Sequence, residues 1–151
     1  MKKSPLPFFL VALIVLALDQ LTKYYIRTHL GPFDVVSVFS IFNLVHAENT
    51  GSAFGMFKSL GSSFFIIVSI TAIVVLSFLV IKDPSNRGAY SLLLGGAAGN
   101  MLDRLLYGHV IDFLDVYAGN YHWPAFNVAD SALTIGIVIL FFTAITSKRN
   151  Y

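Results

Sequence analysis

Hydrophobic residues along the chain form four long stretches that polar segments separate. The first runs from about Phe8 to His29 and ends before Gly31-Pro32, a typical helix stop. The second, from about Phe64 to Ile81, contains no charged residue and is long enough to cross a bilayer as a helix. The third runs from about Ala89 to Tyr107 and is interrupted by polar residues, and the fourth runs from about Asp130 to Ser147. This pattern predicts a membrane all-α protein, a four-transmembrane-helix bundle.

The composition supports a membrane protein of one domain, covering residues 1–151. Of the 151 residues, 56% are hydrophobic and 12% are charged. A water-soluble domain of this length could not bury so much apolar surface. The formal net charge of +2 is too small to suggest binding to nucleic acid. The absence of cysteine excludes a thiol nucleophile, a cysteine-ligated metal and any disulfide in this chain.

The distribution of basic residues predicts the orientation in the membrane. Four crossings place the short polar turn of residues 82–88 on the same side as both termini. Basic residues cluster on that side: Lys2, Lys3, Lys82, Arg87, Lys148 and Arg149. The positive-inside rule makes this side cytoplasmic. The longer loops, about residues 32–63 and 108–129, then face outward, and the Val, Ile and Phe residues between Val35 and Val45 favour short strands in the first of them.

Two aspartates border apolar stretches in the predicted outer half. Asp112 lies between Ile111 and Phe113, and Asp130 begins the fourth stretch about 18 residues later. Ionisable groups at the edge of hydrocarbon are costly, which favours a functional role. A close carboxylate pair can supply a general base and a general acid. The structural alternatives are that Asp130 caps the fourth helix and that Asp112 is a solvated loop charge, although its apolar neighbours count against solvation.

Two further polar groups have helical spacing. Asp19 and Lys23 are four residues apart on the first helix, an arrangement that favours a structural ion pair over a catalytic one. Asn100 and Arg104 have the same spacing on the third helix. The Arg104 fork either pairs with Asp103 or Asp19 within the bundle, or faces an active site or a lipid headgroup.

The remaining motifs exclude several kinds of site. The run from Gly95 to Gly99 favours tight packing of the third helix and lacks the following Lys-Ser/Thr of a phosphate-binding loop. Ser131 is not in a Gly-x-Ser-x-Gly elbow. The four histidines contain no His-x-x-x-His pair, so we expect neither a metal nor another cofactor.

Five segments, in order along the chain, resemble motifs of the bacterial lipoprotein signal peptidases, the signal peptidase II family of membrane aspartyl proteases. They are Asp19-Gln20-Leu21-Thr22-Lys23, the segment from Glu48 to Phe54, the segment from Gly95 to Arg104, Gly108-His109-Val110-Ile111-Asp112-Phe113, and the segment from Pro124 to Ser131. The resemblance spans about Asp19 to Gly136. It implies that Asp112 and Asp130 are similar to the catalytic dyad of the family. It also implies supporting roles in or around the active site for Asp19, Lys23, Asn49, Gly51, Asn100, Arg104 and Asn127.

The resemblance further implies the reaction. The family removes the signal peptide from diacylglyceryl-modified prolipoproteins, on the amino side of the lipidated cysteine. We therefore expect a monomeric, multi-pass enzyme of the bacterial cytoplasmic (inner) membrane. Both termini are expected to be cytoplasmic and the active site extracytoplasmic, with prolipoproteins and membrane lipid as its partners.

Two other classes of protein fit the buried charges alone. One is a small transporter or channel subunit in which Asp112, Asp130 and Arg104 form a proton or ion relay. The wholly apolar second helix, the lack of an inverted repeat and the position of the acidic pair near one face count against it. The other is a lipid-binding scaffold in which the aspartates serve only as caps and ion-pair partners.

Overall fold

The computed structural model describes residues 4–32, 34–51 and 61–147. Within these ranges the chain forms four helices, as the sequence pattern predicted, and one four-stranded antiparallel sheet. The sequence pattern predicts strands only in the first long loop, whereas the sheet also takes two strands from the second. The elements in chain order are α1 (Leu6–His29), β1 (Val35–Phe39), β2 (Phe42–Asn49), α2 (Gly61–Lys82), α3 (Arg87–Tyr107), β3 (Val110–Ala118), β4 (Tyr121–His122) and α4 (Val128–Ser147). Some residues on which the sequence-based predictions depend lie outside the described residues: Lys2, Lys3, Lys148, Arg149 and positions 52–54 of the second motif.

Helix α3 lies at the centre of the helical bundle and packs against α1, α2 and α4. Its small residues permit this close approach. A Cβ atom on Gly95 would lie 2.6 Å from the Ala12 carbonyl oxygen of α1, and one on Gly96 would lie 2.6 Å from the Ala129 carbonyl oxygen of α4. The tight packing predicted for this glycine run is therefore confirmed.

Three helices, α1, α2 and α4, are long and apolar enough to cross a membrane among the residues that the structure describes. Their outward surfaces consist largely of exposed Leu, Ile, Val and Phe side chains. Helix α3 has 21 residues but is less apolar, because it carries polar side chains that face the inside of the bundle. Asn100 and Asp103 are both buried.

The sheet covers one end of the bundle, with the strand order β1-β2-β3-β4. Strand β3 packs one face against α1, since Ile111 and Phe113 form a buried apolar cluster with Ile26 and Leu30. Successive side chains of a strand point to opposite faces. Asp112, between these two residues, is therefore directed to the other face of the sheet.

Candidate active site

Asp130 lies in the first turn of α4, and the cap of this helix is Asn127. The helix begins at Val128, and Asn127 Oδ1 accepts a hydrogen bond of 2.8 Å from the Asp130 backbone N–H. This is the geometry of an N-cap. The alternative interpretation of Asp130 as the cap is therefore wrong. Its carboxylate instead accepts a hydrogen bond of 2.8 Å from Asn100 Nδ2 on α3.

Asp112 is buried on β3 and only 3% exposed, so its interpretation as a solvated loop charge is also wrong. Asn127 Nδ2 donates to Asp112 Oδ1 over 2.7 Å, and Asn49 Nδ2 donates to Oδ2 over 2.9 Å. Asn127 thus contacts both acidic residues, one through its amide nitrogen and the other through its amide oxygen. This single side chain connects the strand that carries Asp112 with the helix that carries Asp130.

The orientation of the other two asparagine amides is also fixed. Asn49 Oδ1 accepts from the Gly51 backbone N–H over 3.0 Å, and Asn100 Oδ1 accepts from Lys23 Nζ over 3.0 Å. An amide oxygen that accepts from a fixed N–H leaves the NH₂ group to point elsewhere. In each case the NH₂ group points to a carboxylate of the pair. Three oriented amides therefore surround the two aspartates.

The electrostatics of the site favour retention of a proton by the pair. Burial, and then the negative charge of Asp130, raise the pKa of Asp112 to about 7. The hydrogen bonds from Asn49 and Asn127 act in the opposite direction, because they stabilise the ionised carboxylate. When two carboxylates interact in this way, the proton belongs to the pair. Near neutral pH the site can therefore offer one acid and one base.

A buried ion cluster lies beneath the pair. Lys23 is inaccessible to solvent, and its Nζ lies 2.8 Å from Asp19 Oδ2 and 3.1 Å from Asp103 Oδ2. The predicted pairing of Asp19 with Lys23 is thus present. Asp19 Oδ1 also accepts from the Ala129 backbone N–H over 2.9 Å, and Asp103 Oδ2 accepts from the Ile111 N–H over 3.1 Å. The cluster therefore fixes the backbone next to both aspartates of the site.

Asp103 was not among the predicted site residues. The available signal is its position three residues after Asn100, which places the two side chains on the same side of a helix. The sequence pattern indicates it only as a partner for Arg104. Among the described residues, no ion pair joins Asp103 to Arg104. Asp103 binds Lys23 instead, and Arg27 Nη1 lies 3.6 Å away.

Arg104 faces the active-site side of α3, and its interpretation as an ion-pair partner of Asp103 or Asp19 is wrong. Its Nη2 donates to the Gly51 carbonyl oxygen over 3.0 Å and its Nη1 to the Asn100 carbonyl oxygen over 3.3 Å. Its guanidinium carbon lies 4.9 Å from the centre of the Phe65 ring on α2. Gly51, also predicted as a site residue, is thus connected to both Arg104 and Asn49.

Five of the predicted site residues border one cavity of about 1000 Å³. Asp112, Asp130, Asn49, Asn100 and Arg104 form its polar part. Its other walls are mainly apolar and come from α2, from α4 and from the segment before α4. The contribution of α2 and α4 could not be read from the sequence pattern. These wall residues include Phe65, Val68, Ala72, Trp123, Phe126, Leu133 and Ile135. The cavity can thus accept an apolar chain and expose it to the carboxylate pair.

An apolar helical protein whose cavity is lined by two aspartates, one of them buried with a raised pKa, has the features of a membrane-embedded aspartic peptidase. The family follows from comparison with known proteins. The family model for signal peptidase (SPase) II matches residues 11–146. The chain therefore belongs to the signal peptidase II family and is an enzyme.

Individual relatives agree with this assignment over nearly the whole chain. A lipoprotein signal peptidase of Thermodesulfovibrio yellowstonii is 50% identical over 140 residues, which cover 93% of this chain and 92% of the relative. One of Francisella tularensis subsp. novicida is 42% identical and covers 98% of this chain and 97% of the relative. The resemblance inferred from the five motifs is confirmed.

Solved structures give the same result for the fold. A bacterial membrane enzyme solved at 2.3 Å resolution superposes with a TM-score of 0.89 at 36% identity, covering 95% of this chain and 90% of that chain. A second, at 1.9 Å resolution, gives a TM-score of 0.82 at 36% identity, covering 91% and 92%. The transporter and scaffold alternatives are therefore not favoured.

Proposed function

We propose that Asp112 and Asp130 are the catalytic dyad with which this chain removes the signal peptide from prolipoproteins. Membership of the signal peptidase II family supports the reaction. The observation that supports the two residues is their common placement in one cavity, each held by an asparagine amide of fixed orientation. Glu48 also borders this cavity, but its side chain is 56% exposed and its nearest charged partner is His109.

The proposed chemistry needs a water molecule and one proton on the dyad. The ionised aspartate removes a proton from the water as its oxygen attacks the carbonyl carbon of the scissile peptide bond. The protonated aspartate donates a hydrogen bond to the carbonyl oxygen and stabilises the tetrahedral intermediate. As this intermediate collapses, the C–N bond breaks and the nitrogen takes up a proton from the dyad. The products are a carboxylate on the signal peptide and a new amino terminus.

The supporting residues have distinct roles in this scheme. Asn49, Asn100 and Asn127 hold the two carboxylates in position, because their amide oxygens are bound by other groups. Lys23, with Asp19, fixes Asn100 from beneath the site. Arg104 holds the Gly51 backbone, and its charge lies in the cavity where a substrate carbonyl would enter.

The shape of the cavity fits a substrate that carries lipid. Its apolar walls on α2 and α4 suit a signal-peptide helix and acyl chains, while the dyad occupies the polar end. We infer that the substrate is the diacylglyceryl-modified precursor and that the bond broken lies on the amino side of the lipidated cysteine. That cysteine lies where a membrane helix reaches the headgroup level, which is the depth of helix ends such as the start of α4.

In the membrane, we propose that α3 crosses together with α1, α2 and α4. Its 21 residues suffice for a crossing, and the other three helices cover its polar side chains. Lys82 and Arg87 flank the turn between α2 and α3, and the positive-inside rule supports a cytoplasmic position for that end. The active site, at the opposite end, then faces outward. One chain supplies both aspartates, which supports a monomer made of a single domain.

The reaction is tested with a purified prolipoprotein whose cysteine carries diacylglyceryl, beside the same precursor without lipid. Mass spectrometry of the products locates the broken bond. We expect wild type to cleave only the lipidated precursor, immediately before the cysteine, and Asp112→Asn and Asp130→Asn to cleave neither. Asp34→Asn, which changes an exposed carboxylate outside the cavity, is the control and should retain activity.

Two outcomes would overturn the proposal. Cleavage of both precursors at equal rates would remove the lipid requirement. Appreciable activity in both folded active-site variants would remove the dyad. Thermal unfolding in detergent distinguishes these outcomes from loss of the fold.

A further inference from the structure

A buried carboxylate that the proposed chemistry does not use lies on the face of β3 opposite the dyad. Asp115 is 7% exposed, accepts a hydrogen bond of 2.9 Å from Asn43 Nδ2, and lies 2.9 Å from His122 Nδ1. The His122 ring is also stacked on Tyr117, with 4.9 Å between the ring centres. We call Asn43, Asp115, Tyr117 and His122 the hairpin clamp.

The hairpin clamp determines which way the next residue points. His122 pairs with Tyr117 in the β3–β4 ladder, and the Trp123 backbone N–H continues the ladder by donating to the Val116 carbonyl oxygen over 2.8 Å. Because side chains alternate along a strand, fixing His122 on the clamp side directs Trp123 to the opposite side. That is the side of Asp112, and Trp123 does border the active-site cavity.

Trp123 lies at the rim of this cavity, where it is 62% exposed, whereas Asp112 is 3% exposed. Its ladder partner Val116 lies four residues beyond Asp112, which corresponds to about 13 Å along an extended strand. This separation of the backbones favours a contact of Trp123 with a substrate group beyond the scissile peptide unit. A fatty acyl chain attached next to that unit has the necessary length.

We infer that Trp123 binds the diacylglyceryl group of the substrate and that the hairpin clamp holds the indole in place for this contact. The inference rests on the proposed function. An indole has a large apolar face, and it is favoured at the level of lipid headgroups. The acyl chains of the diacylglyceryl group present a matching apolar surface. In this assignment Trp123 is a specificity residue, and Asp115 is a positioning residue that acts through His122.

The experiment measures kcat and KM for two diacylglyceryl-modified precursors with the same peptide, one with long acyl chains and one with short chains. For the long-chain substrate, Trp123→Ala should raise KM about tenfold, the loss expected for removal of a buried aromatic contact, with little change in kcat. The increase should be much smaller for the short-chain substrate. Trp123→Phe should recover part of the affinity. Tyr121→Ala is the control, since Tyr121 is on the same hairpin, is 86% exposed and does not border the cavity.

Asp115→Asn tests the clamp. It should raise KM for the long-chain substrate less than Trp123→Ala does, again without lowering kcat, and it should add little in the double variant. If Trp123→Ala raises KM equally for both substrates, Trp123 contacts the peptide and the assignment is overturned. If Asp115→Asn lowers kcat and leaves KM constant, the hairpin clamp supports the catalytic residues and not Trp123, which would also overturn the assignment. If wild type cleaves neither substrate, the failure belongs to the proposed function and not to Trp123.

Discussion

Asparagine side chains control the two carboxylates of the site through hydrogen bonds whose direction is fixed. Asp112 accepts two of these bonds, from Asn49 and Asn127, and still has a pKa raised to about 7, because burial and the Asp130 charge outweigh them. The proposed chemistry requires one proton on the dyad. Below this pKa Asp112 is protonated, and above it the proton is lost. Activity should therefore decline as the pH rises through about 7.

Replacement of Asn49 by alanine should move this alkaline limit to higher pH. The variant loses a donor that stabilises ionised Asp112, so the pKa of Asp112 rises further and the proton is retained longer. The pH dependence of kcat in detergent measures the shift. The control is Asn43→Ala, which removes a comparable bond of 2.9 Å to Asp115 on the same pair of strands. That variant should retain the wild-type limit. An unchanged or lowered limit in Asn49→Ala would contradict the assignment of Asp112 to the alkaline limb.

The identities of the two carboxylates could be predicted from the sequence, but their local geometry could not. Their apolar flanks identified Asp112 and Asp130 as costly charges. The residue just before the first helical residue of α4 is its cap. The sequence pattern predicts that α4 begins at about Asp130, whereas it begins at Val128, which makes Asn127 the cap. A pattern of hydrophobic residues does not locate a helix start this finely.

At the level of elements, α3 is the helix whose environment is hardest to predict from the sequence. Its polar residues interrupt an otherwise apolar stretch, and the pattern does not show that the other helices surround them. The glycines supply this information, because a Cβ on Gly95, Gly96 or Gly99 would meet α1 or α4 within 2.6 Å. Pairs of small residues three or four positions apart predict close packing. They do not predict which neighbouring helix is contacted.

Gly96→Ala should therefore destabilise the protein and lower activity. The added methyl would lie 2.6 Å from the Ala129 carbonyl oxygen and would push α4, which carries Asp130, away from α3. Overpacking of this kind costs about 1–3 kcal/mol. Thermal unfolding and kcat measure the two effects. Gly88→Ala is the matched control, because it lies on the same helix and an added Cβ there would meet nothing within 4 Å. A Gly96→Ala enzyme as stable and active as Gly88→Ala would contradict this packing.

At the scale of the whole molecule, buried charges hold three helices and the sheet in one arrangement. Lys23 of α1 contacts Asp103 and Asn100 of α3, while its partner Asp19 binds the backbone of α4. The spacing of Asp19 and Lys23 predicted a pair within one helix. The contacts to α3 and α4 connect residues distant along the chain, and helical spacing carries no information about them.

Lys23→Met should lower the free energy of unfolding more than the removal of a surface charge does. It removes the cation that contacts buried Asp19 and leaves Asp103 with Arg27 Nη1 at 3.6 Å. Breaking a buried pair in this way costs about 3–5 kcal/mol. Lys82→Met, which removes an exposed lysine at the opposite end of the bundle, should have little effect. Thermal unfolding of both variants in one detergent gives the comparison. Equal stability of the two would mean that the ion cluster does not hold the helices together.

Single-turnover cleavage of a diacylglyceryl-modified precursor by wild type, Asp112→Asn, Asp130→Asn and the double variant tests the catalytic dyad. If the two aspartates act as one unit, each single replacement should reduce the rate by nearly as much as both together, because one carboxylate alone cannot serve as both acid and base. All four proteins should unfold cooperatively, which separates chemistry from folding. Single variants with substantial residual rates, and losses that multiply in the double variant, would contradict a catalytic dyad.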